Sequence, residues 1–273
     1  MVASPCTPSN LFRESTMIIR LSKLGITSFV MLSFLSFNTQ AYEAPKARKA
    51  PVIDGQPDDS AWAKASWQAL DQHILGDIPR SDDFSGRFKV VWNKHRIFIL
   101  AEIVDDVIID RYPDPLTTYW DDDCLEIFID EDHSGGLHQF SFNAFAYHIA
   151  LDNQAIDIGP NNADGSANFI TLNDHVKSAW RRSVTAPNKI YWEVALDIYD
   201  DRFTLSPTKH QSPVKPVKLK QGKVMGFMLA YCDNDGSEER EHFMGSEKIT
   251  PVNGNKNLGY IDAGVFGELK LVK

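Results

Sequence analysis

The feature that most constrains this chain is a series of short apolar segments with strand-like alternation, each closed by turn-forming residues. Residues 87–92 alternate, Asn93, Lys94 and His95 interrupt, and an apolar run resumes over 97–104, which predicts a hairpin. Further strands are predicted over residues 125–130, 139–151, 168–172, 179–184, 190–196, 224–232 and 265–272, with Gly, Pro, Asn and Asp clusters between them. Helical character is confined to a turn over residues 59–67 around Trp62, with Asp58 or Asp59 placed to cap it. Many short strands with almost no helical periodicity argue against an α/β fold. They predict an all-β, antiparallel two-sheet β-sandwich of jelly-roll or immunoglobulin-like type, with short helical turns. A hydrophobic content of 43% supplies a core and argues against disorder. Composition does not shift along the chain and no repeat appears, so one domain is predicted over residues 51–273. A polar linker over 42–50 precedes it, and the Pro- and Lys-rich stretch 206–223 reads as a surface loop.

The first 41 residues read as separate from that domain. Arg20 and Lys23 precede an apolar run over residues 24–37, followed by polar residues and small side chains at Thr39 and Ala41. That order predicts an upstream extension and secretory signal peptide cleaved after Ala41, and hence a secreted protein, periplasmic or extracellular. The apolar run falls short of the ~20 residues that cross a bilayer, so no membrane insertion is expected after cleavage. The net charge of −9 carries no concentrated Lys and Arg patch, which excludes nucleic acid as an expected partner. Cys6 leaves with the signal, and Cys124 and Cys232 remain. Both lie in apolar strand segments and are predicted to be buried free thiols, with one disulfide as the alternative.

Several segments, in order, resemble the family 9 carbohydrate-binding modules. Val52-Ile53-Asp54-Gly55 followed by Asp58 and Trp62 is similar to the family's opening "IDG…D…W". The run from Trp120 through Asp121, Asp122, Asp123, Cys124, Leu125, Glu126, Ile127, Phe128 and Ile129 to Asp130 resembles its "W-x-x-D-x-V-E-I-F-I-D". Gln139-Phe140-Ser141-Phe142-Asn143 resembles "Q-F-R-x-N", with Ser141 where the family pattern carries Arg. Trp192-Glu193-Val194-Ala195-Leu196 and the closing Phe266-Gly267-Glu268-Leu269 match later strands. The resemblance implies a non-catalytic sandwich that holds sugar between two aromatic rings, often at a reducing end. It also implies a structural calcium ion, for which oxygen-rich runs such as residues 130–132 or 233–235 offer ligands. No second Trp follows Asp233-Asn234-Asp235, which leaves Phe243 or Tyr260 for the second ring.

Physical reading of the matching positions gives four candidate sugar ligands: Trp120, Glu126, Gln139 and Asn143. Trp120 follows Pro113, Pro115 and Tyr119 and is predicted to lie in a loop, where an exposed indole offers a flat apolar face to a pyranose. Trp62 and Trp92 sit in apolar-periodic segments and are predicted to be core. Alternation puts Glu126 on the opposite strand face from Leu125 and Ile127, where a carboxylate accepts hydroxyl hydrogens. Gln139 and Asn143 are predicted to share a strand face, and their amides both donate and accept.

Two other classes stand as alternatives. The acids Asp121, Asp122, Asp123, Glu126, Asp130, Glu131 and Asp132 could serve a glycoside hydrolase. A haem-binding electron-transfer sandwich would need axial ligands, and His138, His148, Met225 and Met228 are available without a C-x-x-C-H attachment motif. The histidines show no metal-ligand spacing and read as packing or surface residues.

Overall fold

The computed structural model describes residues 41–186, 188–205 and 214–273. The predicted signal segment and the first part of the predicted loop at 206–223 lie outside the described residues. In chain order the strands are β1 (Tyr42–Ala44), β2 (Gln68–Leu70), β3 (Gln72–Gly76), β4 (Phe84–Trp92), β5 (Arg96–Asp105), β6 (Cys124–Asp130) and β7 (Phe145–Ala150). They continue as β8 (Ala155–Gly159), β9 (Asn168–Thr171), β10 (Val176–Arg182), β11 (Lys189–Asp197), β12 (Val224–Asp233), β13 (His242–Gly245) and β14 (Gly267–Leu271). Helix among the described residues is limited to three 3-10 turns at Ser60–Lys64, Tyr119–Asp121 and Ala263–Val265.

The strands form two sheets, as the alternation predicts. One runs β10-β11-β5-β4-β2, and the other β1-β14-β12-β6-β7-β8-β9, with β13 and β3 joined to it beside β12. Neighbours pair antiparallel except β1 with β14, which run parallel.

Alternation along β6 explains where the core and the site lie. Leu125, Ile127 and Ile129 point into the main core, with Phe145, Tyr147 and Ile149 of β7 and Phe227, Leu229 and Tyr231 of β12. From the other sheet Val90, Trp92, Ile97, Ile99 and Trp192 join the same core. Burying one such aliphatic side chain is worth about 1.5–3 kcal/mol. A one-residue slip in β6 would exchange Ile127 for Glu126, so the register is fixed. The opposite face of β6 carries Cys124, Glu126 and Phe128, and it too is buried, because Phe243, Ile249, Ala263 and Phe266 cover much of it. The other sheet is likewise covered outside by Ile53 and Trp62 against Phe98 and Leu100. Trp62 Nε1 donates to Glu193 Oε1 at 3.0 Å, and the Asp54 and Gly55 amides donate to Glu193 Oε2. The opening motif is thus tied to the Trp192-Glu193 strand by one carboxylate, and Trp62 and Trp92 are core as predicted.

Three local expectations are corrected. Residues 42–50 are not a linker: β1 pairs with β14, and Ala47 N–H donates to the Trp92 carbonyl. Three residues are too few to show alternation, although Ala44 is buried in the main core and Tyr42 packs against Phe88 and Phe227. Asp59 holds the N-cap position of the first turn but makes no side-chain cap, because its carboxylate accepts the Val52 amide instead. The strand predicted over 139–151 begins only at Phe145. Residues before it turn, with the His138 amide donating to the Ile261 carbonyl and the Ser141 amide to His138.

Candidate functional site

A cavity of about 310 Å³ opens at the outer face of β6 and β7, at the lower end of the range of about 300–1,000 Å³ usual for small-molecule sites. Trp120, Glu126 and Gln139 all line it, so three of the four predicted ligands meet in one place. Asn143 does not line it. It is exposed in the turn before β7, and the predicted shared strand face with Gln139 does not exist because the backbone there is not extended.

The apolar side is a group of rings. Tyr119 is buried in the turn Tyr119–Asp121 and packs edge-on against Trp120 at 5.1 Å, His148 at 4.7 Å and Phe169 at 5.5 Å between centroids. Trp120 is half-buried and tilts against Phe169 at 5.7 Å. The indole is therefore held by neighbours while keeping surface open, as its loop position predicts. Phe140, 45% exposed, and Tyr260 also line the cavity. Of the two stand-ins for a second Trp, Tyr260 reaches the cavity, whereas Phe243 is packed under the sheet with the Arg240 guanidinium 4.3 Å above its ring.

The polar side is built on strand register. β6 sets Glu126 directly opposite His148 of β7, and His148 Nε2 donates to Glu126 Oε1 at 2.9 Å. Arg240 donates to the same oxygen at 3.3 Å, and the Cys232 thiol donates to it at 3.0 Å. Burial pushes the Glu126 carboxyl up, but the His148 and Arg240 charges overcome this and hold it below its ordinary value. Burial likewise works against the His148 imidazolium, and the Glu126 carboxylate overrides it, raising His148 to about 9. The patch thus presents a fixed carboxylate, an imidazolium and a guanidinium beside an aromatic wall. Asp157, which also lines the cavity, is pushed up to about 7 by burial, while the Ala146 and Ile158 amides donate to its oxygens.

Arg240, from another part of the chain, brings a guanidinium to the cavity, where Ser141 stands in place of the Arg of the resembled pattern. Neither Arg240 nor His148 is among the sugar ligands read from the sequence, where His148 appears only as a candidate haem ligand. Arg240 lies in a charged run, Glu238 to Glu241, without periodicity. His148 is corrected from a packing residue to a wall of the cavity, and only the pairing of β6 with β7 reveals it.

Two of the acids considered for hydrolysis, Asp122 and Asp123, are engaged in holding the loops. Asp122 accepts the Arg111 and Tyr112 amides, and Asp123 accepts those of Ile109 and Asn234. Of the four candidate haem ligands, Met225 and Met228 are buried in the apolar clusters, and His138 Nε2 donates to the Gly259 carbonyl at 2.8 Å. Only His148 of the four lines the cavity. Cys124 and Cys232 are buried free thiols, as predicted.

A covered two-sheet sandwich with an open, ring-walled cavity and a charged polar side is a small-ligand-binding module. A family model described as carbohydrate family 9 binding domain-like matches residues 53–273. The chain belongs to that family, and carbohydrate binding is its function class. Among solved structures it is similar to a carbohydrate binding module family 9 from Caldicellulosiruptor kristjanssonii in complex with cellotriose, with a TM-score of 0.58 and 18% identity, covering 84% of this chain and 93% of that one. A structure of a family 9 module from the same organism in complex with glucose matches at the same TM-score and identity, with 95% of that chain covered. At this identity the likeness is one of fold. Over 90 residues the chain is 29% identical to endo-1,4-beta-xylanase A of Thermotoga neapolitana, a stretch that makes up 33% of this chain and 8% of that enzyme.

Proposed function

We propose that this protein is an exported, non-catalytic binder of mono- or oligosaccharide, with the ring-walled cavity as its sugar site. The observation that carries the reading is the half-open Trp120 indole beside the Glu126–Arg240 pair in one cavity. Trp120 stacks on the apolar face of a pyranose, with Tyr260 or Phe140 as a further ring surface. Glu126, whose hydrogen bonds among the described residues converge on Oε1, offers Oε2 to sugar hydroxyls. Arg240 and Gln139 donate to sugar oxygens. A ligand gripped by fixed charges and a ring needs no reacting group, and family membership supports adsorption over cleavage. The known ligands of the two similar structures make glucose and cello-oligosaccharides the first probes. The test is a glycan array followed by calorimetry on the hits, with reducing-end release assayed in parallel. Saturable binding to at least one glycan without release is expected; no binding across the array, or steady release, would overturn the reading.

The same reading includes a structural calcium ion, and three buried carboxylates support it. Asp105, Asp123 and Asp233 bring one oxygen each within 4.8 Å of one another. Asp105 Oδ1 is buried with no hydrogen-bond partner. Burial and the neighbouring Asp105 charge push Asp123 and Asp233 each to about 9, and burial pushes Asp105 to about 6. A hard divalent ion would relieve that repulsion, and all-oxygen ligands suit calcium. Removing calcium with a chelator is expected to lower the melting temperature, and adding it back to restore it. Saturation at 100 times Kd is worth about 2.7 kcal/mol, or about 5–10 °C for a domain of this size. Asp123→Asn keeps an oxygen for the Asn234 amide and should abolish the response. An identical melting temperature in chelator and in calcium would rule the ion out.

A further inference from the structure

We propose that Cys124, Glu126, His148 and Cys232 form a site for a zinc-class divalent ion behind the polar side of the cavity. Strand pairing creates the constellation. Cys124 and Glu126 are two apart on β6 and share a face. β12 sets Cys232 directly opposite Cys124, and β7 sets His148 directly opposite Glu126. Each residue contributes one ligand atom, and the four atoms all lie within 4.8 Å of one another. Donors at bond lengths of about 2.0–2.3 Å around a tetrahedral ion stand about 3.3–3.8 Å apart. Here His148 Nε2 to Glu126 Oε1 is 2.9 Å, Cys232 Sγ to Glu126 Oε1 is 3.0 Å, and Cys232 Sγ to His148 Nε2 is 3.9 Å, so sub-ångström adjustment brings these three pairs to that spacing, with Cys124 Sγ within 4.8 Å of each.

The ligand chemistry selects the ion. Two sulfurs and an imidazole favour zinc over calcium, which takes oxygen. Charge points the same way. Two thiolates and a carboxylate carry −3, a divalent ion leaves −1, and the Arg240 guanidinium cancels the remainder. Arg240 is placed for this, donating to Cys232 Sγ at 3.0 Å and to Glu126 Oε1 at 3.3 Å, the supporting contacts that metal thiolates usually receive. Binding takes His148 as the neutral imidazole and both cysteines as thiolates, so the imidazolium proton and the two thiol protons are released to solvent. The site lies on three paired strands with both cysteines fully buried, so its geometry is held by the fold. The ion site shares Glu126, His148 and Arg240 with the lining of the proposed sugar cavity, and none of its residues is among the carboxylates assigned to calcium.

The test is a cobalt(II) titration of the reduced full-length chain carrying Cys6→Ser, so that the two strand cysteines are its only thiols. One equivalent of cobalt should bind with thiolate-to-cobalt charge-transfer absorption, and zinc should displace it. Both thiols should become protected from alkylation in the folded protein when metal is present. Cys232→Ser and His148→Gln should each weaken binding by no less than the about 10–100-fold that losing a mere supporting partner costs. Asp123→Asn should leave the titration unchanged, which separates this ion from calcium. Because the parent chain is itself decisive, poor folding of a variant does not blunt the test. Absence of a charge-transfer band in reduced, folded parent protein, or a Cys124–Cys232 disulfide in protein prepared without air, would overturn the proposal.

Discussion

Trp120→Ala is expected to weaken binding to any glycan identified on the array by at least about 2 kcal/mol, roughly 30-fold, the scale of a central aromatic anchor. The melting temperature should hardly move. Trp120 lies in a three-residue turn and belongs to none of the apolar clusters that hold the sheets together. Tyr119 beneath it keeps its edge contacts with His148 and Phe169 when the indole is gone. Calorimetry and a thermal melt on the same sample separate the two quantities. Binding retained at the parent strength would remove the indole from the site and move attention to Phe140 and Tyr260.

Arg240→Ala should have the larger effect on stability, with a loss of about 3–5 kcal/mol. Its side chain is only 7% exposed and sits against Glu126, which is 3% exposed. Truncation leaves a buried carboxylate with His148 as its remaining charged partner, which places the cost toward the lower end. Arg240→Lys should recover part of the loss, since it restores charge but not the rigidly held Nη1 that donates to both Glu126 and Cys232. Urea unfolding of the three proteins gives the comparison. An Arg240→Ala protein as stable as its parent would show that the guanidinium does not balance the buried carboxylate.

How far the sequence carried depends on which groups hold each part together. β6 was legible because its side chains alternate and each fills a place in a core. β1 was not, because only Tyr42 and Ala44 of its three residues meet the core, too short a run to show alternation, and its pairing with β14 leaves no side-chain mark. The turn before β7 misled for a related reason: apolar Phe140 and Phe142 alternate with polar neighbours as in a strand, but one ring faces the cavity and the other the core from a folded-back backbone. Asn143 fell out of the site with that turn. Trp120 and Glu126 were within reach because their spacing falls inside one continuous motif. His148 and Arg240 come to Glu126 from β7 and from the loop after β12, and pairwise register is invisible in a single linear pattern.

The covering of β6 on both sides bears on how the molecule would meet its ligand. The carboxylate at the centre of the cavity stands on a beam clamped from above and below, so little of the binding free energy is lost to ordering the receptor. Encounter then resembles docking onto a finished mould, and the free and occupied forms should superimpose closely around this strand. Selectivity among sugars would arise from which hydroxyls meet charges already in position, with the wrong epimer left facing an unmatched buried group.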